Sequence, residues 1–349
     1  MNSDPSGAHK PLRIGIVGYG WWGQTLARQV QSKNASAYFS LQAVAETDRK
    51  LFSLAQEQGI AEGFAAYDSF EALLEHSTLE AVVLCTPHLQ HANQIIKAAE
   101  RGMHVFCEKP LCLTLADAQR ALAQCQSKGV VLGLGHERRF EPEIIALRQR
   151  IAKGEFGSIL QIEANFSQDK FFALPKDNWR LSNQHAPVGP LTATGIHLVD
   201  LSIALLGPCE SVLARLATLG SNFENGDTLG ILMAFPNGAN ALISAMLATP
   251  FEGRFAVYGS EGWIEIRDLT HPEHPTGWEV TQCLRGKTRE TRYSQPHPAV
   301  LDNLIAFSRA ARGLSPYPIT PAEMLANVAA LEAIMSSAGS GLLTSVQAG

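Results

Sequence analysis

A glycine-rich segment near the start of the chain decides its fold: Ile14-Gly15-Ile16-Val17-Gly18-Tyr19-Gly20-Trp21-Trp22-Gly23. Its glycines form a G-x-G-x-x-G pattern between an apolar strand and a helical segment, the context that separates a dinucleotide loop from an ordinary glycine turn. The first glycine allows a tight turn, the second lets the backbone approach a pyrophosphate, and the third lets the helix pack on the sheet. We therefore predict that the whole loop contacts a dinucleotide through Gly18, Tyr19, Gly20, Trp21, Trp22 and Gly23.

An acidic residue follows at the distance that such sites require. The next apolar strand, predicted over 41–45, ends in Glu46, 23 residues after Gly23. A carboxylate there accepts hydrogen bonds from two ribose hydroxyls and repels a 2′-phosphate, so NAD is favoured over NADP as the cofactor. Arg49 leaves an alternative open, because it either pairs with such a phosphate or is a solvated arginine at a helix start.

Length and composition limit the function classes. At 349 residues, 46% of them hydrophobic, the chain suits two domains with large cores. A net charge of −5 without a basic run argues against a nucleic-acid partner. No apolar stretch approaches the roughly 20 residues of a membrane helix, and residues 1–10 lack an apolar signal region. We expect a cytoplasmic protein without a membrane partner.

Cysteine and histidine spacings do not indicate a metal site. The six cysteines lie at positions 85, 107, 112, 125, 209 and 283, without a C-x-x-C pair, and we expect reduced thiols. His271 and His274 are separated by a proline and followed by another, which prevents the helix that would bring both rings to one face. This segment is predicted to be a surface loop.

Apolar strands alternate with helical segments through residues 11–140, which predicts a Rossmann domain with a doubly wound parallel sheet. Ligands bind beyond the carboxyl ends of such strands. Residues that bind a ligand are therefore expected directly after each strand. The predicted strands are 13–17, 41–45, 81–85, 104–107 and 130–134, and the segments after them are 18–23, 46, 86–88, 108–110 and 136–140.

Residues 141–349 show a different pattern, in which strands follow one another with short turns. This pattern predicts an α+β domain for substrate binding and oligomerisation, built on one large, open, mainly antiparallel sheet. Its free face is a candidate dimer surface, and its final helix is a candidate to pack back on the first domain. The predicted strands are 159–166, 212–219, 229–235, 239–248, 254–258 and 263–266, and the predicted helices are 142–153, 196–206, 298–312 and 321–338.

Two segments have the composition of a catalytic site. Glu108-Lys109-Pro110 follows the fourth predicted strand, where a lysine binds a ribose or polarises a substrate oxygen, the alternative being a surface ion pair. In the segment 189–200, His197 falls in a first helical turn, where Asp200 at i+3 is expected to hold its ring in one tautomer, as a general base requires. The alternative is a structural histidine. Gly195 is expected to leave room for a ligand.

With these segments in view, the chain resembles the glucose-fructose oxidoreductase and inositol dehydrogenase family, Gfo/Idh/MocA, over nearly its full length. The resemblance rests on the glycine loop, Thr86-Pro87, His91, 104–110, 138–140, 179–180, 189–200 and the final helices. It implies a Rossmann domain followed by an open antiparallel sheet, and NAD(P)-dependent oxidation or reduction of sugars, polyols or related alcohols. It also implies that Lys109 is the E-K-P lysine and His197 the catalytic histidine.

The resemblance extends the set of candidate contacts. For the two arginines in this set, a salt bridge across the domain junction is an equal alternative, and for Trp179 a core position is the alternative. Cofactor contacts are expected from Thr86, Pro87, His91, Glu108, Lys109 and Pro110, and substrate contacts from Lys109, His136, Arg139, Trp179, Arg180, Thr194 and His197.

One departure from the family pattern affects the functional prediction. Many members carry an aspartate four residues before the histidine, where this chain has Ala193. The leading hypothesis is an NAD-dependent oxidoreductase that acts on a sugar, cyclic polyol or dihydrodiol, as a homodimer or homotetramer formed through the second sheet. The alternatives are a dinucleotide-binding sensor or regulator with weakened chemistry, and an enzyme that retains NAD and uses it transiently.

Overall fold

The computed structural model describes residues 10–347 and contains two sheets. The first has six parallel strands in the order β3-β2-β1-β4-β5-β6, the doubly wound arrangement that the alternating pattern predicts. The strand β3 was not among the predicted strands, because three partly exposed residues carry no readable alternation. The strands are β1 (Leu12–Val17), β2 (Phe39–Ala45), β3 (Ala65–Tyr67), β4 (Ala81–Leu84), β5 (His104–Cys107) and β6 (Leu132–Leu134).

Five helices connect these strands. Most begin at a side-chain cap; Asp48, for example, accepts bonds from the amides of Lys50 and Leu51. The helix after the glycine loop is different, because Gly20 is its N-cap and no side chain caps it. Its first amides are therefore free to bind a ligand. The helices are α1 (Trp21–Gln31), α2 (Arg49–Glu62), α3 (Phe70–Leu74), α4 (His91–Glu100) and α5 (Leu115–Ser127).

The second sheet has nine strands in the order β14-β13-β12-β11-β7-β10-β9-β8-β15. Its one parallel pair is β10 with β7, so the sheet is mixed but mainly antiparallel. The strands β13, β14 and β15 were not predicted; β14 lies at the edge and is largely exposed, without apolar alternation. The elements are α6 (Pro142–Ala152), β7 (Ile159–Ser167), α7 (Ile196–Leu206), β8 (Ser211–Ala217), β9 (Thr228–Ala234), β10 (Asn240–Met246), β11 (Glu252–Gly259), β12 (Gly262–Asp268), β13 (Trp278–Leu284), β14 (Glu290–Ser294) and β15 (Thr344–Ser345).

The two C-terminal helices, α8 (Ala299–Ala311) and α9 (Pro321–Ser340), join the two sheets. Helix α8 packs on the first sheet, where the ring of Phe307 lies 5.6 Å from that of Phe106. Helix α9 packs on β8 and α7, while its Glu332 accepts a bond from the amide of Leu115 in α5. Thus α8 is the helix that returns fully to the first domain, and the final helix bridges both.

Two consecutive arginines after β6 tie the domains together through buried ion pairs. Arg138 binds both carboxylate oxygens of Asp268, at 2.9 and 2.8 Å. Arg139 binds both oxygens of Asp200, each at 2.7 Å. Bidentate geometry fixes the direction as well as the distance of such pairs. The Arg139 pair therefore holds α7 of the second domain, and the Arg138 pair holds the end of β12, against the carboxyl edge of the first sheet.

Within residues 10–347, no helix is both long and apolar enough to cross a membrane. The polar segment used in the localisation prediction lies, up to residue 9, outside the described residues. All six cysteines are free, as predicted.

Candidate active site

A groove runs along the carboxyl edge of the first sheet beside the glycine loop. Gly18 has a φ of +88°, and a Cβ there would lie 2.8 Å from the carbonyl oxygen of Cys85. A Cβ on Gly23 would lie 1.9 Å from the carbonyl oxygen of Gly18. Gly20 is the exception, because nothing lies within 4 Å of the Cβ position. Two glycines therefore serve packing, and Gly20 leaves an open cradle in the groove.

This cradle fits a pyrophosphate. It lies at the uncapped N-terminus of α1, whose free amides and positive dipole end favour a phosphate group. Trp21, Trp22 and the backbone of Gly18 and Gly23 line the groove around it. The residues present thus match the diphosphate of a nicotinamide dinucleotide.

Glu46 fits the ribose at the other end of the groove. One of its carboxylate oxygens accepts from the amide of Tyr19 at 2.6 Å, and the other from Thr47 and Asp48 at 2.7 and 2.9 Å. A carboxylate has about four acceptor positions, so one remains for a ribose hydroxyl. Arg49 is exposed at the start of α2 and does not line the groove.

Three further expected cofactor contacts, in addition to Arg49, lie outside both the groove and the cavity beside it. The ring of Tyr19 is buried and its hydroxyl bonds to Gln58. His91 is fully buried, with its ring nitrogens 2.9 Å from the carbonyl oxygens of Pro110 and Thr86. Because both nitrogens face the backbone, His91 ties these two loops together and does not reach the groove. Pro110, after a cis peptide bond, does not line it either. Thr86 and Pro87 do.

A cavity opens from the groove toward the second domain. Both are lined by Trp21, Trp22, Cys85, Thr86, Trp179 and Arg180. Its wall brings together ionisable and polar side chains from segments far apart in the sequence: Glu108, Lys109, Glu137, Thr192, Thr194, His197 and Glu273; Ala193 lines it as well. The cavity therefore lies where a substrate meets the nicotinamide end of a cofactor in the groove.

Lys109 reaches into this cavity from the loop after β5. Its Nζ donates to the carbonyl oxygen of Ala193 at 2.5 Å and lies 3.4 Å from that of Thr192. Burial lowers the pKa of Lys109, while Glu137 and Glu108 oppose the shift. Burial raises the pKa of Glu108 to about 7. The alternative of a surface ion pair between Glu108 and Lys109 is therefore wrong.

His197 lies in the first turn of α7, directly after the wide helical turn Leu191–Gly195. Burial lowers its pKa well below the ordinary value, and the nearby Lys109 and His136 lower it further. Its Nδ1 is buried without a hydrogen bond and lies 3.8 Å from Oε1 of Glu137. Since His197 lines the cavity, Nε2 is the nitrogen left to face a substrate.

The expected partner of His197 is occupied by another residue. Asp200 was predicted to hold the imidazole, but its carboxylate binds the guanidinium of Arg139. Arg139 also donates to Glu323 at 2.6 Å, so of its two predicted roles the structure supports the salt bridge and not the substrate contact. Gly195, expected to leave room for a ligand, instead faces Pro190 and Ala245, at 3.3 and 3.4 Å from its Cβ position.

His136 also departs from its predicted role as a substrate contact. It is fully buried behind His197, with ring centroids 5.8 Å apart, and does not line the cavity. Burial lowers its pKa to about 4. It therefore packs as a neutral ring between His197 and the domain junction.

The remaining predicted substrate residues do line the cavity. The guanidinium of Arg180 lies 4.4 Å from the ring centroid of Trp179 and makes no ion pair among residues 10–347. Both also line the dinucleotide groove. Thr194 lines the cavity, with its hydroxyl donating to the carbonyl of Pro190 at 3.2 Å. Trp179 and Arg180 thus stand where cofactor and substrate would meet.

Glu137 and His271 line the cavity but were not among the predicted site residues. Glu137 lies in the segment 136–140 that follows β6, so its position at a strand end was the available signal. His271 was assigned to a surface loop, yet it lines the cavity and its Nε2 lies 2.7 Å from Oε1 of Gln168. No sequence pattern indicated its position. The part of the chain that the structure describes holds no cluster suited to a metal ion.

Comparisons with known proteins match both domains. Residues 12–136 match a family model described as "Oxidoreductase family, NAD-binding Rossmann fold", and residues 144–265 match the "GFO/IDH/MocA C-terminal domain". The chain is 26% identical to D-xylose 1-dehydrogenase (NADP(+)) 2 of Haloferax volcanii, over 94% of this chain and 97% of that protein. It is 28% identical to myo-inositol 2-dehydrogenase of Thermotoga maritima, over 74% and 77%.

A solved structure shows the same fold. The aldose-aldose oxidoreductase of Caulobacter crescentus, complexed with glycerol, superposes with a TM-score of 0.81 at 23% identity, over 96% of this chain and 100% of that one. The glycine loop, the E-K-P lysine and the histidine of α7 fall inside the matched regions. The chain belongs to the Gfo/Idh/MocA family of NAD(P)-dependent oxidoreductases.

Proposed function

We propose that this protein is an NAD-dependent dehydrogenase that oxidises a secondary hydroxyl of a sugar, cyclic polyol or dihydrodiol. One observation carries the proposal: Lys109 and His197, from different domains, converge in a cavity that opens into the groove of the glycine loop. A substrate hydroxyl in that cavity lies between a cationic donor and a histidine without other partners. This is the arrangement that hydride transfer from an alcohol requires.

When bound, the nicotinamide supplies the hydride acceptor or donor. Lys109 donates a hydrogen bond to the substrate oxygen, with its direction fixed by the carbonyl of Ala193. His197 takes the hydroxyl proton on Nε2, which is available because burial keeps the ring neutral. The aromatic walls exclude water from the reacting centre. These roles assign binding and polarisation to Lys109, and proton removal to His197.

The charge distribution of the groove favours NAD over NADP. Its lining includes the carboxylates of Glu46, Asp48 and Glu71, whereas Arg180 is the one cationic side chain among its described lining residues. Arg180 also lines the cavity at the opposite end from Glu46. A 2′-phosphate beside Glu46 would therefore meet like charge without a compensating cation.

The lining of the cavity is compatible with a polyhydroxylated ring. Phe166, Phe171 and Trp179 supply apolar faces, while Glu137, Lys109 and His197 supply donors and acceptors. Sugars and cyclic polyols present C–H faces and hydroxyl edges that match such a combination. The relatives named for D-xylose and myo-inositol act on compounds of this kind.

The free face of the second sheet supports a homo-oligomer. Leu213, Leu232 and Leu242 lie side by side on β8, β9 and β10, and each is between 37% and 43% exposed. On the strands beside them, Arg254 pairs with Glu163 and Glu265. A leucine row next to charges of both signs is self-complementary across a two-fold axis. Sedimentation should show a dimer or tetramer that Leu232→Arg dissociates, and a monomeric wild type would contradict this.

The direct test is reduction of NAD⁺ and NADP⁺, followed by near-ultraviolet absorbance, over a panel of inositols, aldoses, sugar acids and aromatic dihydrodiols. Turnover with at least one member, faster with NAD⁺, is the expected result. Binding of NADH without turnover of any member would contradict the proposal and favour a dinucleotide-binding sensor.

A further inference from the structure

The segment that leads into α7 offers no carboxylate to His197 at the position four residues before it. Ala193 occupies that position and lines the cavity. Its side chain is a methyl group, and its carbonyl oxygen is used by Lys109. Neither group can orient His197 or accept a proton from it. The reaction proposed above therefore lacks a partner for the second ring nitrogen, unless another segment supplies it.

Glu137 places a carboxylate beside that nitrogen. It lies just after β6, its side chain is 14% exposed, and it lines the same cavity. Its Oε1 lies 3.8 Å from Nδ1 of His197, and this is its one ion-pair contact among the described residues. The nitrogen itself is buried and has no hydrogen bond. Two unpartnered, complementary groups thus face each other across the domain junction.

We propose that Glu137 is the positioning residue of His197 and replaces the carboxylate that Ala193 lacks; the inference rests on the proposed dehydrogenase function. The two atoms are 3.8 Å apart, so a displacement of either side chain by roughly 1 Å would bring them to a hydrogen-bond distance of about 3 Å. Catalytic hydrogen bonds are often long before substrate binds. The Nδ1–H then donates to Glu137, which leaves the lone pair of Nε2 directed at the substrate.

The proton path balances with this arrangement. The substrate alcohol loses its carbinol hydrogen, with the electron pair, to the nicotinamide ring, and its hydroxyl proton to Nε2 of His197. The C–O single bond becomes a carbonyl. His197 becomes an imidazolium that the Glu137 carboxylate stabilises, and the proton then leaves to solvent. Nothing beyond NAD⁺ and the alcohol is consumed.

Electrostatics explains why His197 needs this partner. The surrounding cations and burial both disfavour its protonated form, so an isolated His197 would be a weak base. The charged groups facing Glu137 are Glu108 and Lys109 after β5, Arg138 beside it, and His197 from α7. Burial raises the pKa of Glu137 to about 7, with Glu108 adding to the shift. The carboxylate therefore ionises within the physiological range.

The first experiment reads the histidine directly and requires no turnover. In the full-length protein labelled with ¹⁵N-histidine, long-range ¹H–¹⁵N spectra report the tautomer of each ring, and His197→Asn assigns the signal. Wild type should show His197 protonated on Nδ1. Glu137→Ala should lose that preference, whereas Glu137→Gln should retain part of it through its amide oxygen. An unchanged tautomer in Glu137→Ala would overturn the inference.

The second experiment uses a substrate from the panel. Glu137→Ala should lower kcat by about 10²-fold and flatten the acidic limb of the pH profile near pH 7, to which Glu108 also contributes. Adding Ala193→Asp to Glu137→Ala should raise kcat again by at least about tenfold, because it places a carboxylate four residues before His197, on the same helical face. A rise in KM without a change in kcat, with an unchanged pH profile and no rescue by Ala193→Asp, would overturn the inference.

A matched control is Glu273, a further cavity carboxylate besides Glu108, which pairs with Lys170, lies 3.6 Å from His271 and does not contact His197. Glu273→Gln removes the same charge from the cavity, so the tautomer of His197 and the limb near pH 7 should remain. The two proposals fail separately. If the wild type is inert on the whole panel, the proposed dehydrogenase function is overturned, and the tautomer of His197 still tests the role of Glu137. If the wild type is active and Glu137→Ala is equally active, only the role of Glu137 is overturned.

Discussion

The dinucleotide groove and the catalytic cavity are built in opposite ways. The phosphate- and ribose-binding end of the groove is made from one β-α-β unit, in which the glycine loop and Glu46 lie within 29 residues of each other, and residues 69–94 and 174–180 complete its remaining walls. The cavity draws Lys109, Glu137, His197 and His271 from four separated segments in two domains. The difference teaches that cofactor binding is a local property of this chain, whereas the chemistry depends on how the domains are locked together.

The largest effect is expected from the cavity, where one side chain carries the proton transfer. His197→Asn should lower kcat by about 10⁴-fold, the upper end of what a positioned base supplies. The Kd of NADH, measured by fluorescence titration, should change little because the groove is built elsewhere. Residual activity above about a tenth of wild type would show that the base lies in another residue.

The next largest effect is a pH dependence of stability, and it arises from His136, which packs against His197. The folded pKa of His136 is about 4, against about 6.5 in an unfolded chain. Between these values the unfolded state binds more protons, so the free energy of unfolding falls as pH drops from 6.5 to 4, by up to about 3 kcal/mol. The full stability is present above pH 6.5. Urea unfolding across this range should show a shallower slope in His136→Asn, and parallel curves would contradict the assignment.

A smaller effect separates binding from folding within the groove. Gly20→Ala points a methyl into the cradle and should raise the Kd of NADH about 30-fold, equivalent to one lost charged hydrogen bond of about 2 kcal/mol, without loss of stability. Gly23→Ala should instead lower the free energy of unfolding by about 3 kcal/mol, because the methyl meets the Gly18 carbonyl. Equal behaviour of the two variants in thermal unfolding would break this distinction.

The smallest expected effect concerns cofactor choice. Glu46→Gln keeps an acceptor but removes the charge, and should shift the NAD⁺ to NADP⁺ ratio of kcat/KM about tenfold toward NADP⁺. Arg49→Ala is the control, because Arg49 is exposed outside the groove and the ratio should remain. A shift in Arg49→Ala would instead make this arginine the phosphate partner.

The same contrast explains what the sequence could predict. The doubly wound parallel sheet, the glycine loop and Glu46 could be predicted from local spacing, because turn geometry and strand ends are set by neighbouring residues. The edge strand β14 was missed because its exposed residues lack alternation. The hydrophobic pattern predicted most strands and helices with one buried face, but it missed β13 although Trp278 and Val280 are buried.

The partners within the cavity could not be predicted, because they depend on distant segments. Asp200 was assigned to His197 from i+3 spacing, but a bidentate pair with Arg139 across the junction is the contact formed. Helical spacing places Asp200 correctly on α7 and gives no information about the arginine that faces it. His271 came from an apparently exposed loop for the same reason. A long-range ion pair decided the outcome for Asp200, and a long-range hydrogen bond with Gln168 decided it for His271.

The central claim is that Lys109 and His197 meet across the two domains to perform hydride-transfer chemistry on an alcohol. Its most direct test is NAD⁺ reduction by wild type and Lys109→Met, at saturating substrate and with the Kd of NADH measured in the same preparations. The account predicts turnover by wild type, loss of at least about 10²-fold in Lys109→Met, and similar NADH binding in both. Equal turnover by the two proteins would contradict it.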